Sequence, residues 1–275
     1  MKIGYALSGG AGYGFAHIGV LKVLEKNNIK PDVIVGTSVG SLIGGLLASG
    51  LSISEIENMA IKLSWDKILK FTLPKEGLIS IDGLIEFIGK NIKIKNIEET
   101  KIKFAAIATD LCENKEKVFD KGSISKAIRA SCSLPGIFTP YKDGQHIYVD
   151  GGLINHLPVK TTFEMGVDFV IAIDVTTKAF GLQIKHVDIF NILWKSLQIM
   201  IQKNTALENF EKYFGNLVII TPDISNYNPF DLTKKFEIIK KGEIAAEENI
   251  EYILKKIREK IPLKEKIKNI FKKKD

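Results

Sequence analysis

Cysteine is nearly absent: Cys112 and Cys132 are the only two in 275 residues, too few for a disulfide framework. Residues 1–14 offer only a short apolar run ending in a glycine cluster, so no secretory leader is expected and free thiols in a reducing, cytoplasmic setting are. Long hydrophobic runs are missing as well. Charges interrupt every apolar stretch short of the roughly 18 residues that a membrane-spanning helix requires, so no span is expected. Histidine is scarce, and no cluster of His, Cys or paired acids has ligand spacing, which argues against a metal or another cofactor. A basic face is lacking too. The formal net charge is +7, but residues 251–275 alone hold ten Lys or Arg against four Asp or Glu, so the body is close to neutral. A nucleic-acid-binding domain shows a basic face across its fold with aromatics interleaved, and no nucleic-acid partner is expected.

What is present is alternation. Short β-branched runs at 3–7, 33–36, 103–109, 147–149, 169–175 and 217–221 read as strands, and amphipathic stretches at 14–27, 39–48, 54–63, 123–130, 188–210 and 233–256 read as helices. This pattern predicts an α/β fold with a mostly parallel central sheet sandwiched by helices. Residues 64–100 follow no clean period and are punctuated by Pro74 and Gly77. They read either as a cap over a functional site or as a plain structural excursion. One domain over 1–250 is expected, followed by a basic amphipathic tail, 251–275.

Three motifs carry chemistry. Gly36-Thr37-Ser38-Val39-Gly40 lies between an apolar strand and a small-residue helix. In that context Gly-x-Ser-x-Gly describes a nucleophile elbow: the serine takes a strained conformation, and Gly36 and Gly40 leave room for the turn. Standing alone, it reads as a strand-to-helix turn capped by Ser38. Upstream, Leu7-Ser8-Gly9-Gly10-Ala11-Gly12-Tyr13-Gly14 follows a strand and precedes a helix. Such a loop turns backbone amides toward one point, where they can hold a phosphate or an oxyanion. The dinucleotide fingerprint fails, because its last position falls on Phe15 or His17, and no Lys-Ser or Lys-Thr follows to make a P-loop. An oxyanion loop of Gly9, Gly10, Ala11 and Gly12 is the reading left.

A serine needs a base. His17 falls inside a helix pattern, His146 precedes a strand, His156 sits in a turn beside Pro158 and His186 follows a polar loop, so each is a poor candidate. Asp150 is the alternative, at the end of an apolar strand and followed by Gly151 and Gly152, although Asp-Gly is also a common turn dipeptide.

In this order the three pieces resemble the bacterial patatin-like phospholipase family, which combines a glycine-rich oxyanion loop, a Gly-x-Ser-x-Gly elbow and an Asp-Gly-Gly or Asp-Gly-Ala acid in a dyad without histidine. Phe15-Ala16-His17-Ile18-Gly19-Val20-Leu21 and Thr109-Asp110-Leu111 fit the same family. So do residues 130–138, Asn155-His156-Leu157-Pro158-Val159 and residues 166–172; the likeness covers roughly residues 1–175 outside the capping segment. It implies a patatin-like fold and a lipid acyl hydrolase. Ser38 would be the nucleophile, Asp150 the base, and the amides of residues 9–12 the oxyanion hole; a lipid ester would be the substrate, and no metal would take part. A catalytically weak regulatory or lipid-binding protein and a thioesterase are the alternatives. A carboxylate with an ordinary pKa near ~4 is a weak base and has to be desolvated to work near neutral pH. Two positions depart from the family: Ala11 stands where a glycine is usual and Tyr13 where an Arg or Lys is usual. Ala11 at positive φ would cost about 1 kcal/mol, unless Gly12 takes that conformation instead.

In the tail, Ile253, Leu254, Ile257 and Ile261 share one helical face and Lys255, Lys256, Arg258 and Lys260 mostly occupy the other. Such a helix either lies on the anionic inner face of a membrane as a peripheral anchor or packs its apolar face on the domain. Oligomeric state has no signature among these residues.

Overall fold

The computed structural model describes residues 1–62, 70–71, 79–178 and 188–260. Residue by residue, the apolar runs become strands: β1 (Ile3–Leu7), β2 (Val33–Thr37), β3 (Lys70–Phe71), β4 (Ile79–Ser80), β5 (Lys103–Asp110), β6 (Lys115–Phe119), β7 (Tyr141–Asp143), β8 (His146–Asp150), β9 (Phe169–Ile173) and β10 (Leu217–Ile220). The helices are α1 (Phe15–Lys26), α2 (Val39–Ala48), α3 (Ile53–Ile61), α4 (Asp82–Asn91), α5 (Ile124–Ser131), α6 (Val159–Glu164), α7 (Ile189–Leu207) and α8 (Lys235–Lys260).

Among the described residues the main sheet runs β10-β9-β1-β2-β5-β8-β7, with β6 also on β5. The first five strands of that order are parallel, while β6, β7 and β8 join antiparallel. Period-two burial splits the core into two layers. Ile3, Tyr5 and Leu7 of β1 face the cluster shared with α1, α2, α3 and α8, and Ala6 faces the smaller cluster of Val33, Val35, Ile107, Val159 and Val170. Both sheet faces are therefore covered, as parallel strands require. From β1 the chain moves outward through β2 and β5, then returns to the other side of β1 for β9 and β10. The strand order thus reverses between β1 and β9, and the crevice beyond such a reversal is where open α/β sheets hold ligands.

One helix pair constrains the whole. A Cβ at Gly19 of α1 would lie 2.0 Å from the Ile239 carbonyl oxygen of α8, and one at Gly242 would lie 2.1 Å from that of Ala16. The two helices approach backbone to backbone there. The expected tail takes part: α8 runs unbroken through position 250, Ile253 is fully buried, and Leu254 and Ile257 pack on the core. The apolar face of residues 251–260 is thereby committed to the domain; the remaining tail, 261–275, lies outside the described residues, as does much of the expected cap. Of that cap, β3 pairs with β4 and α4 follows directly.

Candidate active site

The ends of β1, β2 and β8 converge on one cavity. At the end of β2, Ser38 has φ 53° and ψ −125°, a combination that costs a non-glycine residue of order 1–3 kcal/mol. The surroundings fix it: the Ser38 amide donates to Ser131 Oγ at 2.8 Å, Ser131 Oγ donates to the Ile107 carbonyl, and the Ser38 carbonyl accepts from the Ser41 amide and hydroxyl at 2.9 and 2.6 Å. Space matters as much. A Cβ at Gly36 would sit 2.4 Å from the Gly40 carbonyl, and one at Gly40 only 2.3 Å from that of Leu7. Only glycines let β2 turn so sharply into α2 beside the end of β1.

Asp150 ends β8 opposite Ala108 and is 5% exposed. Its amide donates to the Ser133 carbonyl at 2.9 Å, the Gly152 amide donates to its Oδ1 at 2.8 Å, and the Ser38 hydroxyl is close enough to pull the carboxylate's pKa down. Burial pushes its pKa up to about 6; the Ser38 hydroxyl and the Gly152 amide pull it back only in part. Ser38 and Asp150 thus line the same cavity, and burial desolvates the acid.

The glycine loop adjoins both side chains, but its four amides are not equivalent. Gly9 donates to the His156 carbonyl at 3.3 Å and Gly12 to the Pro229 carbonyl at 2.9 Å. The amides of Gly10 and Ala11 make no hydrogen bond among the described residues, which narrows the expected oxyanion set from four donors to two. Ala11 does take positive φ, 49°, and Gly12 does not relieve it; tethering of the Gly12 amide to Pro229 explains why. The departure at Tyr13 also has a physical account. Its ring is fully buried and its hydroxyl donates to the Tyr227 carbonyl at 2.9 Å, so a neutral anchor holds the loop where a cation is usual.

Above these groups the cavity is apolar. Val39, Leu42 and Leu46 of α2, Ile56 and Met59 of α3, Leu84 and Phe87 of α4, and Trp194 and Ile201 of α7 line it. The Cys132 thiol also lines it, but burial and the Asp150 charge push its pKa up to about 12, which keeps it protonated.

Sequence reasoning passed over His156, which lines this cavity and packs against the glycine loop, its Cε1 2.9 Å from where a Gly9 Cβ would be. Its Nε2 meets Thr176 Oγ1 at 2.8 Å, and that hydroxyl donates to Asp174 Oδ1 at 2.8 Å. The hydroxyl proton is spent on Asp174, so Nε2 of His156 is the donor. Burial lowers the pKa of His156 to about 4, against the pull of Asp174, which keeps the ring neutral near pH 7. The one sequence signal was its place six residues after the acid. His17 is buried beneath the loop and donates from Nε2 to the Ser8 carbonyl at 2.9 Å. His186 lies outside the described residues.

A second group of side chains escaped the spacing argument against metal ligands. Asp110, Glu113 and His146 bring ligand atoms within 4.8 Å of one another. Their arrangement is already satisfied: His146 Nδ1 meets Asp110 Oδ2 at 2.7 Å, the amides of Cys112 and Glu113 donate to Asp110 Oδ1, and Glu113 pairs with Lys115.

Comparison with known proteins adds the lineage. A family model described as patatin-like phospholipase matches residues 5–163. Lysophospholipase NTE1 of Kluyveromyces lactis is 27% identical over 92% of this chain and 19% of its own length. Patatin-like phospholipase domain-containing protein 7 of Rattus norvegicus is 36% identical over 64% of this chain and 14% of its own length. The chain thus spans about a fifth or less of these curated relatives. Among solved structures, VipD of Legionella pneumophila matches 91% of this chain and 67% of its own with a TM-score of 0.52 at 13% identity. The ExoU-SpcU complex of Pseudomonas aeruginosa matches 91% and 51% with a TM-score of 0.51 at 15% identity. At such identities the likeness is one of fold. With more than half of its length matched by the family model, the chain belongs to the patatin-like phospholipase family.

Proposed function

We propose that the protein hydrolyses carboxylic esters of lipids through Ser38 and Asp150 and an acyl-enzyme intermediate. The observation that carries this reading is the floor of the cavity: a serine on strained backbone beside a buried carboxylate, beneath apolar walls. Ser38 Oγ attacks the ester carbonyl as its proton passes to Asp150. The oxygen that gains charge accepts from the Gly10 and Ala11 amides, a pair in which losing one donor would cost about 10²–10³ in rate. Asp150 then returns the proton to the departing alcohol, and water repeats the sequence on the acyl-enzyme. With a pKa of about 6, the carboxylate is ionised roughly ten to one at pH 7 and still more basic than an ordinary aspartate. An alcohol leaves a tetrahedral intermediate more readily than an amine, which favours esters over peptides for so weak a base.

Labelling with a fluorophosphonate probe, followed by a panel of phospholipids, lysophospholipids, acyl thioesters and peptides, tests the reading. Labelling at Ser38 and turnover of the glycerolipid esters are expected, both lost in Ser38→Ala. Faster turnover of thioesters or peptides would reassign the substrate. A folded protein that does not label would favour a second reading, a lipid-binding protein with little turnover, for which the strain at Ala11 speaks.

The rest of the proposal concerns place. Neither cysteine is in a disulfide, which fits a reducing, cytoplasmic compartment. The domain of residues 1–250 continues into α8, and residues 261–275, with six lysines and two acids, suit peripheral contact with an anionic membrane. No helix among the described residues is long and apolar enough to cross a bilayer.

A further inference from the structure

We propose that the outer face of α7 is a docking surface for an anionic phospholipid bilayer, an inference that rests on the lipid-hydrolase reading of the cavity beneath it. The helix is apolar on two opposite sides. Trp194 and Ile201 line the cavity and Leu197 is buried against Leu134 and Ile137. At 3.6 residues per turn, Ile189, Ile192, Ile199, Met200 and Leu207 fall within about 60° of the direction opposite Trp194. All five are exposed, Ile189 at 72% and Leu207 at 83%. A surface helix of a globular protein normally turns charge and polarity outward, and here a stripe five turns long is apolar apart from Ser196 and Lys203.

Charge identifies the occupant. Residues 189–207 contain Lys195 and Lys203 and no Asp or Glu. Lys203 is exposed at the centre of the outer stripe, where its methylene stem lies along apolar surface while the ammonium reaches a headgroup phosphate. A second copy of the chain would have to bury that ammonium, whereas an anionic lipid pairs with it. Position agrees with charge. The helix that meets the bilayer on one side walls the cavity on the other, so an acyl chain leaving the membrane travels about one helix diameter, 10–12 Å, to reach the region of Ser38. The apolar face of the terminal segment is committed to the core as far as Ile257, so α7 adds a bilayer contact at the rim of the site itself, separate from residues 261–275.

Co-sedimentation with vesicles of phosphatidylserine and phosphatidylcholine tests this, using the full chain carrying Ser38→Ala so that binding is read without turnover. Adding Ile192→Ser, Ile199→Ser and Met200→Ser, none of which lines the cavity, is expected to weaken vesicle binding about tenfold or more. In the Ser38 background the same triple variant is expected to hydrolyse a short, monomeric p-nitrophenyl ester at the unaltered rate while losing activity on vesicles. Undiminished vesicle binding by the triple variant overturns the inference. So does a wild-type dimer in solution that the three serines convert to monomer, because a second copy then covers the stripe. A chain ending at Lys260 separates any contribution of the last residues: loss of all binding in that chain, with α7 intact, also overturns it. Failure of the short ester to turn over in the unmodified chain would instead count against the hydrolase reading alone.

Discussion

Two buried aspartates at the ends of strands in the same sheet have opposite electrostatics. Asp150 after β8 and Asp174 after β9 are equally sequestered, 5% and 4% exposed. Around Asp150 the carboxylate receives one backbone amide and feels the nearby Ser38 hydroxyl, and its pKa rises to about 6 because burial outweighs both. Around Asp174 burial pushes in the same direction, yet the pKa falls, through the pull of His156 at the acid pH where that ring is protonated and through donors from the amides and hydroxyls of Thr176 and Thr177. Burial alone therefore does not make a base. Basicity comes from leaving a buried carboxylate short of donors, and stability comes from supplying them.

Exchanging each acid for its amide is the most direct way to break this contrast. Asp150→Asn is expected to lower kcat by about 10²–10⁴, the usual worth of a positioned base, whereas Asp174→Asn keeps most of the rate; equal losses would erase the distinction. Stability moves the other way. The raised pKa of Asp150 means that its ionisation opposes folding above the ordinary carboxylate range, fully so above about pH 6. Asp150→Asn should thus stabilise the fold by about 2–3 kcal/mol at pH 8 and by nothing below about pH 4. Asp174→Asn turns an amide group toward donors and should cost about 1–3 kcal/mol. Denaturant midpoints at the two pH values check both signs. The pH profile sharpens the comparison further: kcat/KM on a soluble ester should rise with pH through about 6 and fall about tenfold per unit below it, with no inflection near neutrality from His156, which burial holds at about 4. The smallest expected effect belongs to the neighbouring loop. Ala11→Gly relieves the φ of 49° but loosens the unfolded chain, so thermal unfolding should register a change below about 1 kcal/mol.

Much of this was legible in the residues because the relevant signals are local. Apolar runs located β1, β2, β5, β8, β9 and β10 to within two residues, and Ser38 and Asp150 stood out because each ends such a run. The predicted strand at 169–175 ends at Ile173, since Asp174 gathers the amides of Thr176 and Thr177 into a turn. β6 was missed because Lys115–Phe119 pairs at an edge with charged residues and carries no alternation, and β7 because it is three residues long. α4 hid in the unperiodic stretch 64–100, where only Gly83, Leu84 and Ile88 are buried along ten residues. What no local pattern could reveal is which loop amides remain free. That depends on Pro229 and His156, more than 140 residues away in the chain.

The glycine contact between α1 and α8 ties the end of the described chain to its chemistry. α1 is the direct continuation of the loop that presents Gly10 and Ala11, and its backbone at Ala16 and Gly19 rests on α8 with no side chain as cushion. A shift of α8 against that contact would therefore displace α1, and with it the Gly10 and Ala11 amides proposed to hold the oxyanion.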